Sequence, residues 1–548
     1  MRLDGGVGCN SAANMLFEAD TRRENYKTTT LSGTVKCKNT IAMNKYPVIL
    51  QGGMGAGVSN WRLAQTVSRL GQLGVVSGTA LDQILARRLQ DGDPGGHMRR
   101  GLNAFPFSAM AERIWQRYFI AGGKSERTPY RLAPPHEKDN PRELIELDIV
   151  SNFVEVFLAR EGHNNPVGIN YLEKVQTAHL STIYGAMLAG VGYVAMGAGI
   201  PLKIPGVLDR YVKHRSAEYT VHVTGALEGE DAAMVFNPRE YMECELAPLT
   251  RPKFLAIVSS NTLATTMLKK ANGRVDGLVV EMRTAGGHNA PPRGKAQLSD
   301  AGEPIYGERD AIDMGKLREL GVPFWLAGGY GHPEKLREAL EQGATGVQVG
   351  TAFEFCDESG LREDYKRALL AKAMAGEARV FTDPLASPTR FPFKVARLEG
   401  TGSEPEVYAA RPRICDLGFL HEAYRTPEGT VGYRCAAEPL SLYVSKGGNA
   451  EDSLGRKCLC NALLANIGHP QARNGSRTEQ GIVTAGDDLG CVPQFLAPGR
   501  SSYCAAEVVA TLLRGLPLSA GRSSADARSF AHSSPSIEHP HCAELETV

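Results

Sequence analysis

Eight short, near-continuously apolar runs, separated by amphipathic or glycine-rich stretches, constrain the fold of this chain more than any other feature. They fall at about 46–51, 72–77, 166–170, 191–196, 254–259, 277–281, 323–327 and 345–350. A strand that is apolar along its whole length is covered on both faces, as in a parallel sheet flanked by helices. Eight such strands are the number that closes a (β/α)8 TIM barrel. The last unit is the clearest: Val322 to Ala327 reads as a strand and Gly328-Gly329 as a turn. Pro333 then opens a helix with Leu336, Ala339 and Leu340 on its inner face, ended by Gly343.

This reading places an α/β barrel at residues 46–400, preceded by a loose extension, 1–45, with polar clusters such as Thr28, Thr29, Thr30 and Ser32. Two stretches exceed a minimal barrel. One spans 91–165, with helical segments around Ala111–Phe119 and Leu144–Arg160; the other spans 209–250, with a hairpin near Tyr219–Val223. Both are expected to act as lids over the site. The alternation fades after 400 into an irregular Cys- and Gly-containing C-terminal region, 401–514, and a Ser-rich tail, 515–548, expected to be disordered. Gly185 to Leu202 carries no charge, but five Gly and Pro201 interrupt it. It therefore reads as a buried helix end, a turn and a strand rather than a membrane span.

Three motifs sit where barrel enzymes keep their chemistry, at the C-terminal ends of strands. Gln51-Gly-Gly-Met-Gly-Ala-Gly57 follows the first strand, with Ser59 expected to cap the next helix. Its glycines let backbone N–H groups approach a flat or anionic ligand, although a plain tight turn needs glycine too. Gly328-Gly329 and Gly350-Thr351 follow strands seven and eight, the pair of loops from which a barrel builds a phosphate cradle. Backbone amides and the Thr351 hydroxyl can all donate to phosphate oxygens. The third motif, Glu281 to Arg293, leaves strand six with Gly286 and Gly287 ahead of His288. A histidine titrates near neutrality, so His288 can take a proton from carbon or return one; as a rim residue it can also merely satisfy backbone groups. Arg293 can hold an anionic substrate or simply solvate its loop.

In that order, the glycine loop, Ala-Gly-Gly-His, Gly-Gly and Gly-Thr resemble the nitronate monooxygenase (2-nitropropane dioxygenase) family over about residues 46–400. The resemblance implies an FMN-binding TIM barrel. Gly328, Gly329, Gly350 and Thr351 would hold the FMN phosphate, and His288 would stand beside the isoalloxazine ring. Gln51, Gly52, Gly53, Met54, Glu281, Gly286 and Gly287 would meet the flavin, as would Asn170, whose Gly168-Ile-Asn resembles the family's Val-Asn pattern on strand three. His288 would then be the base acting on a nitroalkane or nitronate, with FMN passing electrons to dioxygen. Ser259 and Ser260, closing strand five, would face ring or substrate unless they only form the turn.

Glu281 stands where compact members usually have Gln, and Asn-Ala-Pro-Pro-Arg follows His288 where they typically have Arg-Gly. The longer Thr284-to-Gly294 run resembles the flavin enoyl reductase branch associated with polyunsaturated fatty acid and polyketide synthesis. There NAD(P)H would reduce FMN, and an enoyl thioester would be the substrate. A third reading, of another class, is a barrel that binds FMN or another phosphate without turnover.

The remaining composition narrows the field. Sixty-one Lys and Arg against 60 Asp and Glu leave a net charge of +1, which offers no strong field to nucleic acid or acidic lipid. Eleven thinly spread Cys, with charged residues and no apolar core in the first 20 residues, make a reducing cytoplasm the expected location. Cys415, Cys435, Cys458 and Cys460 lack a zinc or iron–sulfur spacing, so no metal is assigned to them.

Overall fold

The computed structural model of the chain describes residues 46–514, apart from 231 and 474–476, together with Leu516. The expected N-terminal extension and, Leu516 aside, the expected tail lie outside the described residues. The eight apolar runs form strands β1 (Ile49–Gln51), β2 (Gly74–Ser77), β3 (Val167–Leu172), β4 (Tyr193–Gly197), β5 (Lys253–Val258), β6 (Gly277–Glu281), β7 (Phe324–Ala327) and β8 (Gly346–Val349). The sheet order is β1-β8-β7-β6-β5-β4-β3-β2, and all seven pairings are parallel. The ring closes between its ends, where Leu50 bridges Leu73. Gln51 N–H donates to Leu73 O at 2.9 Å, and Leu73 N–H to Ile49 O at 3.1 Å. This is the (β/α)8 barrel expected from the sequence.

The stretch Gly185–Leu202 resolves into the end of helix His179–Leu188, a turn and β4. The first barrel helix, Trp61–Arg69, is capped by Asn60, whose side chain accepts from Leu63 N–H at 3.0 Å. The expected cap, Ser59, is instead turned inward beneath the glycine loop. Helix Arg142–Arg160 is buried on nearly every side, because it packs against helices Trp61–Arg69, Leu81–Gln90 and His179–Leu188 as well as β3. Its apolar residues therefore lie on more than one face, and Glu146, Asp148, Ser151, Asn152 and Glu155 are buried among them. It serves as the crossover helix between β2 and β3, so the last part of 91–165 is barrel wall. In the 209–250 stretch, Ala217–Thr220 pairs antiparallel with Ala233–Phe236.

Residues Pro47–Arg514 form one compact unit. Beyond β8, an antiparallel pair, Val380–Asp383 with Phe393–Ala396, reaches back to the β6 loop. His288 bridges Phe393, Asn289 N–H donates to Pro392 O, and Lys394 N–H donates to Gly287 O, both at 2.9 Å. Helix Leu459–Asn466 and the 3-10 stretch Asp487–Phe495 follow, and helix Ala505–Leu512 lies against helix Trp61–Arg69. Among the described residues, no helix is long and apolar enough to cross a membrane.

Candidate active site

A cavity of about 440 Å³ opens over the C-terminal ends of the strands. The rim loops expected from the sequence converge on it: Gly52, Gly53 and Met54 after β1, Asn170 in β3, Ser259 after β5, Glu281 at the end of β6, and Gly286, Gly287 and His288 beyond it. Gly328 and Gly329 after β7, and Gly350 and Thr351 after β8, complete the ring. Among the described residues, none of 91–165 or 209–250 lines it. The wall over the rim comes from 391–488: Phe391, Phe393, Phe419, Leu420, Cys460, Leu463, Thr484, Gly486 and Asp488.

The glycine loop is tied down from below. Ser59 Oγ donates to Gly52 O at 2.7 Å and accepts from Met54 N–H at 2.8 Å. Gln51, expected at the ligand, is fully buried under the loop and absent from the cavity lining. Its Nε2 donates to Ser59 Oγ at 2.8 Å and its Oε1 accepts from Val75 N–H at 2.9 Å. One end of the amide is spent on the glycine loop and the other on joining β1 to β2. Gly53 must be glycine, because a Cβ there would stand 2.4 Å from Asn170 Cβ. Asn170 Nδ2 donates to Gly53 O at 3.1 Å, and its Oδ1 is buried without a partner. An orphaned acceptor in a cavity wall is a position where a ligand's N–H fits.

The loops after β7 and β8 carry the free donors. Gly328 and Gly329 have φ of +91° and +76°, a backbone that glycine alone adopts without strain. Among the described residues, the N–H groups of Gly328, Gly329 and Thr351 donate to no backbone or side-chain acceptor. The Thr351 hydroxyl, expected as a further donor to phosphate, accepts from Gly486 N–H at 3.0 Å. Asp488 and Glu354 place two carboxyl groups near this cradle. Burial raises both, and pushes Glu354 well above the usual carboxylate range with the Asp488 charge adding to it. Burial thereby favours the protonated form of Glu354, which limits the charge opposing an anion.

His288 is half-buried on the cavity wall, with its ring 5.0 Å from that of Phe393. Its Nε2 lies 2.7 Å from Ser387 Oγ, which in turn lies 2.8 Å from Thr389 Oγ1. Desolvation, then the nearby Lys174 ammonium, push its pKa down to about 3, so the neutral imidazole is the form present near pH 7. Lys174 escaped the sequence reading, although it lies on the rim just after β3. Its Nζ donates to Ala198 O at 2.5 Å and sits 3.4 Å from the Phe391 ring centroid. Burial lowers its pKa to about 8 against the raising effect of Glu173 and Glu281. Burial raises Glu281 to about 7, opposed by Lys174. An amine and a carboxyl that titrate near neutrality thus share the cavity with an imidazole that does not.

Ser260 and Arg293 stay outside this cavity. Ser260 is the cap of helix Asn261–Lys270 and accepts from Leu263 N–H at 3.0 Å. Arg293 donates to Arg309 O at 2.9 Å and to Ser259 O at 3.3 Å, beside a neighbouring pocket with Tyr306 and Asp310. Its guanidinium is committed to loop carbonyls. Cys435 and Cys458 pack with Ala437 and Cys415 in a small core of their own, while Cys460 faces the cavity; all four are free thiols.

The family model described as nitronate monooxygenase matches residues 235–390, the stretch carrying His288 and the loops after β7 and β8. The nitronate monooxygenase of Paraburkholderia phytofirmans is 29% identical over 190 residues, 34% of this chain and 49% of that protein. The one from Pseudomonas aeruginosa is 30% identical over 200 residues, 36% of this chain and 52% of that protein. The chain thus spans about half the length of these curated relatives. Among solved structures, FabK from Thermotoga maritima has a TM-score of 0.42 at 16% identity, covering 85% of this chain and 91% of its own. A nitroalkane oxidase from Streptomyces ansochromogenes has a TM-score of 0.38 at 16% identity, covering 88% and 97%.

Proposed function

We propose that this chain, similar to the nitronate monooxygenases over the stretch that carries its histidine, is an FMN-dependent oxidoreductase of that type, oxidising a nitronate or nitroalkane with dioxygen. The observation that carries the reading is one cavity holding free amide donors at Gly328, Gly329 and Thr351, an unpartnered acceptor at Asn170 Oδ1, and His288. These features fit a flavin mononucleotide. The loops after β7 and β8 would take the phosphate, and Gly52, Gly53, Met54 and Asn170 the ring system. FMN supplies the electron transfer between an organic substrate and dioxygen.

The protein's own residues supply charge, orientation and a proton acceptor. His288, kept neutral and oriented through Ser387, takes a proton from the substrate carbon, and negative charge forming beside it favours the imidazolium. Lys174 offers a positive charge to a nitronate, and Phe391, Phe393, Phe419 and Leu420 exclude water around it. Glu281, as the neutral acid, leaves that positive charge uncancelled. The cytoplasm is the proposed location.

A second reading, NAD(P)H-dependent reduction of an enoyl thioester, is favoured by the apolar wall of four aromatic and aliphatic side chains, which suits an acyl chain better than a small nitroalkane. The test is anaerobic reduction of the purified flavoprotein. Bleaching by a nitronate but not by NAD(P)H supports the first reading; the reverse overturns it in favour of the second. If His288→Ala keeps its flavin and loses oxidation, the chain is an enzyme. A colourless protein that takes up no FMN removes both readings.

A further inference from the structure

Behind the cavity wall lies a second chamber of about 20 Å³, lined by Asp82, His136, His179 and Thr182 among others. Thr79, Ala80 and Phe419 line both spaces. Asp82 stands in the first turn of helix Leu81–Gln90, His136 in the irregular stretch before helix Arg142–Arg160, and Asp148 within that helix. Their exposures are 3%, 2% and 0%, yet one potential ligand atom from each lies within 4.8 Å of the others. His136 Nε2 is 2.9 Å from Asp148 Oδ1, and Ser181 Oγ donates to Asp148 Oδ2 at 2.7 Å. His136 Nδ1 is inaccessible and has no hydrogen-bond partner.

Two buried carboxylates exceed the charge that one imidazole can balance, and a chamber of this size holds one water-sized body. Desolvation works to lower the pKa of His136, but the Asp148 carboxylate outweighs it and raises it to about 9, so Nδ1 carries an unpartnered proton that an entering cation displaces. An orienting carboxylate on the far nitrogen is the usual support of a metal-bound histidine. We propose that this chamber is a site for one divalent transition-metal cation, taking an oxygen of Asp82 and Nδ1 of His136, with Asp148 orienting the ring. Carboxylate and imidazole ligands suit Mn2+, Fe2+ or Zn2+. The ion would fix the Gly78–Asp82 turn, in which Ala80 holds a φ of +57° and borders the active-site cavity.

The test uses the full chain with its flavin, stripped by a chelator and then given Mn2+, Fe2+ or Zn2+ separately. Metal is counted by mass spectrometry and stability by thermal unfolding. The expected result is about one ion per chain and a midpoint that rises with ion concentration to saturation. Asp82→Asn and His136→Gln should each lose the ion while Asp82→Asn keeps the parent flavin-to-protein ratio. A native chain that takes up no ion overturns the proposal, as does an Asp82→Asn chain that binds as much as the parent. If His136→Gln does not fold, the native stoichiometry and the Asp82→Asn variant still decide.

Discussion

In the proposed function Lys174 and His288 divide the work of the cavity between charge and proton transfer, and each role has its own signature. Replacing His288 by Ala should lower kcat/KM about 10²–10⁴-fold, the usual contribution of a positioned acid or base, without loss of flavin absorbance. Because its pKa lies near 3, His288 gives no limb to the pH profile near neutrality. Two other groups do. Glu281 loses its proton as the pH rises through about 7, placing a negative charge beside Lys174, and Lys174 loses its own proton through about 8. Both changes weaken the hold on an anionic substrate, so kcat/KM for a nitronate should fall from neutral to alkaline pH. Lys174→Met should raise KM about 10–100-fold, the worth of one charged hydrogen bond, and remove the limb near 8. Glu281→Gln should remove the limb near 7 and leave activity at lower pH close to that of the parent. Initial rates across pH with a nitronate check all three, and an unchanged profile in Lys174→Met would separate that ammonium from substrate binding.

The loop that presents His288 is held as a short added strand. Gly287 N–H donates to Thr484 Oγ1 at 2.8 Å, and Lys394 N–H to Gly287 O. Lys394 Nζ, itself buried, binds Thr382 Oγ1 at 2.7 Å and Asp487 at 2.6 Å. Thr484→Val keeps the shape and removes the acceptor, leaving Gly287 N–H without a partner at a cost of about 1–3 kcal/mol. Chemical unfolding should report that loss, and turnover should fall with it because the imidazole is less well held. None of these contacts is legible locally. The eight barrel strands were, because each is apolar along its length and the pattern needs no knowledge of partners. The glycine motifs were legible for the same reason: their position after a strand is a local property. Gln51 misled because its place at the head of the motif hides a buried amide that bridges β1 and β2. Ser387, Thr484 and Phe393 reach the site only through pairing across about a hundred residues or more, and nothing in their neighbourhoods marks them.

The molecule as a whole shares its site between two stretches of chain. The barrel supplies the floor and the donors, whereas the wall over them comes largely from residues beyond β8, most of them outside the 235–390 match. The later stretch also braces the barrel from outside. Tyr503 OH donates to Ala352 O at 2.7 Å, Arg87 donates to His469 O at 2.6 Å, and Gln471 Oε1 accepts from Tyr130 N–H at 2.8 Å. Val508 and Leu512, on the helix that lies along Trp61–Arg69, are fully buried. A chain ending at residue 400 would expose these apolar surfaces and leave buried polar groups unpaired, each costing about 1–3 kcal/mol, against a total stability of only about 5–15 kcal/mol for a typical domain. Such a chain should therefore fail to accumulate as soluble protein, or accumulate without flavin, even though every glycine motif and His288 remain in it. Expression of the shortened chain beside the parent, with the flavin-to-protein ratio read from absorbance and folding from circular dichroism, checks this. A shortened chain that is folded and carries flavin at the parent ratio would show that the barrel holds its ligand without the wall, and the extension would then act only on substrate access.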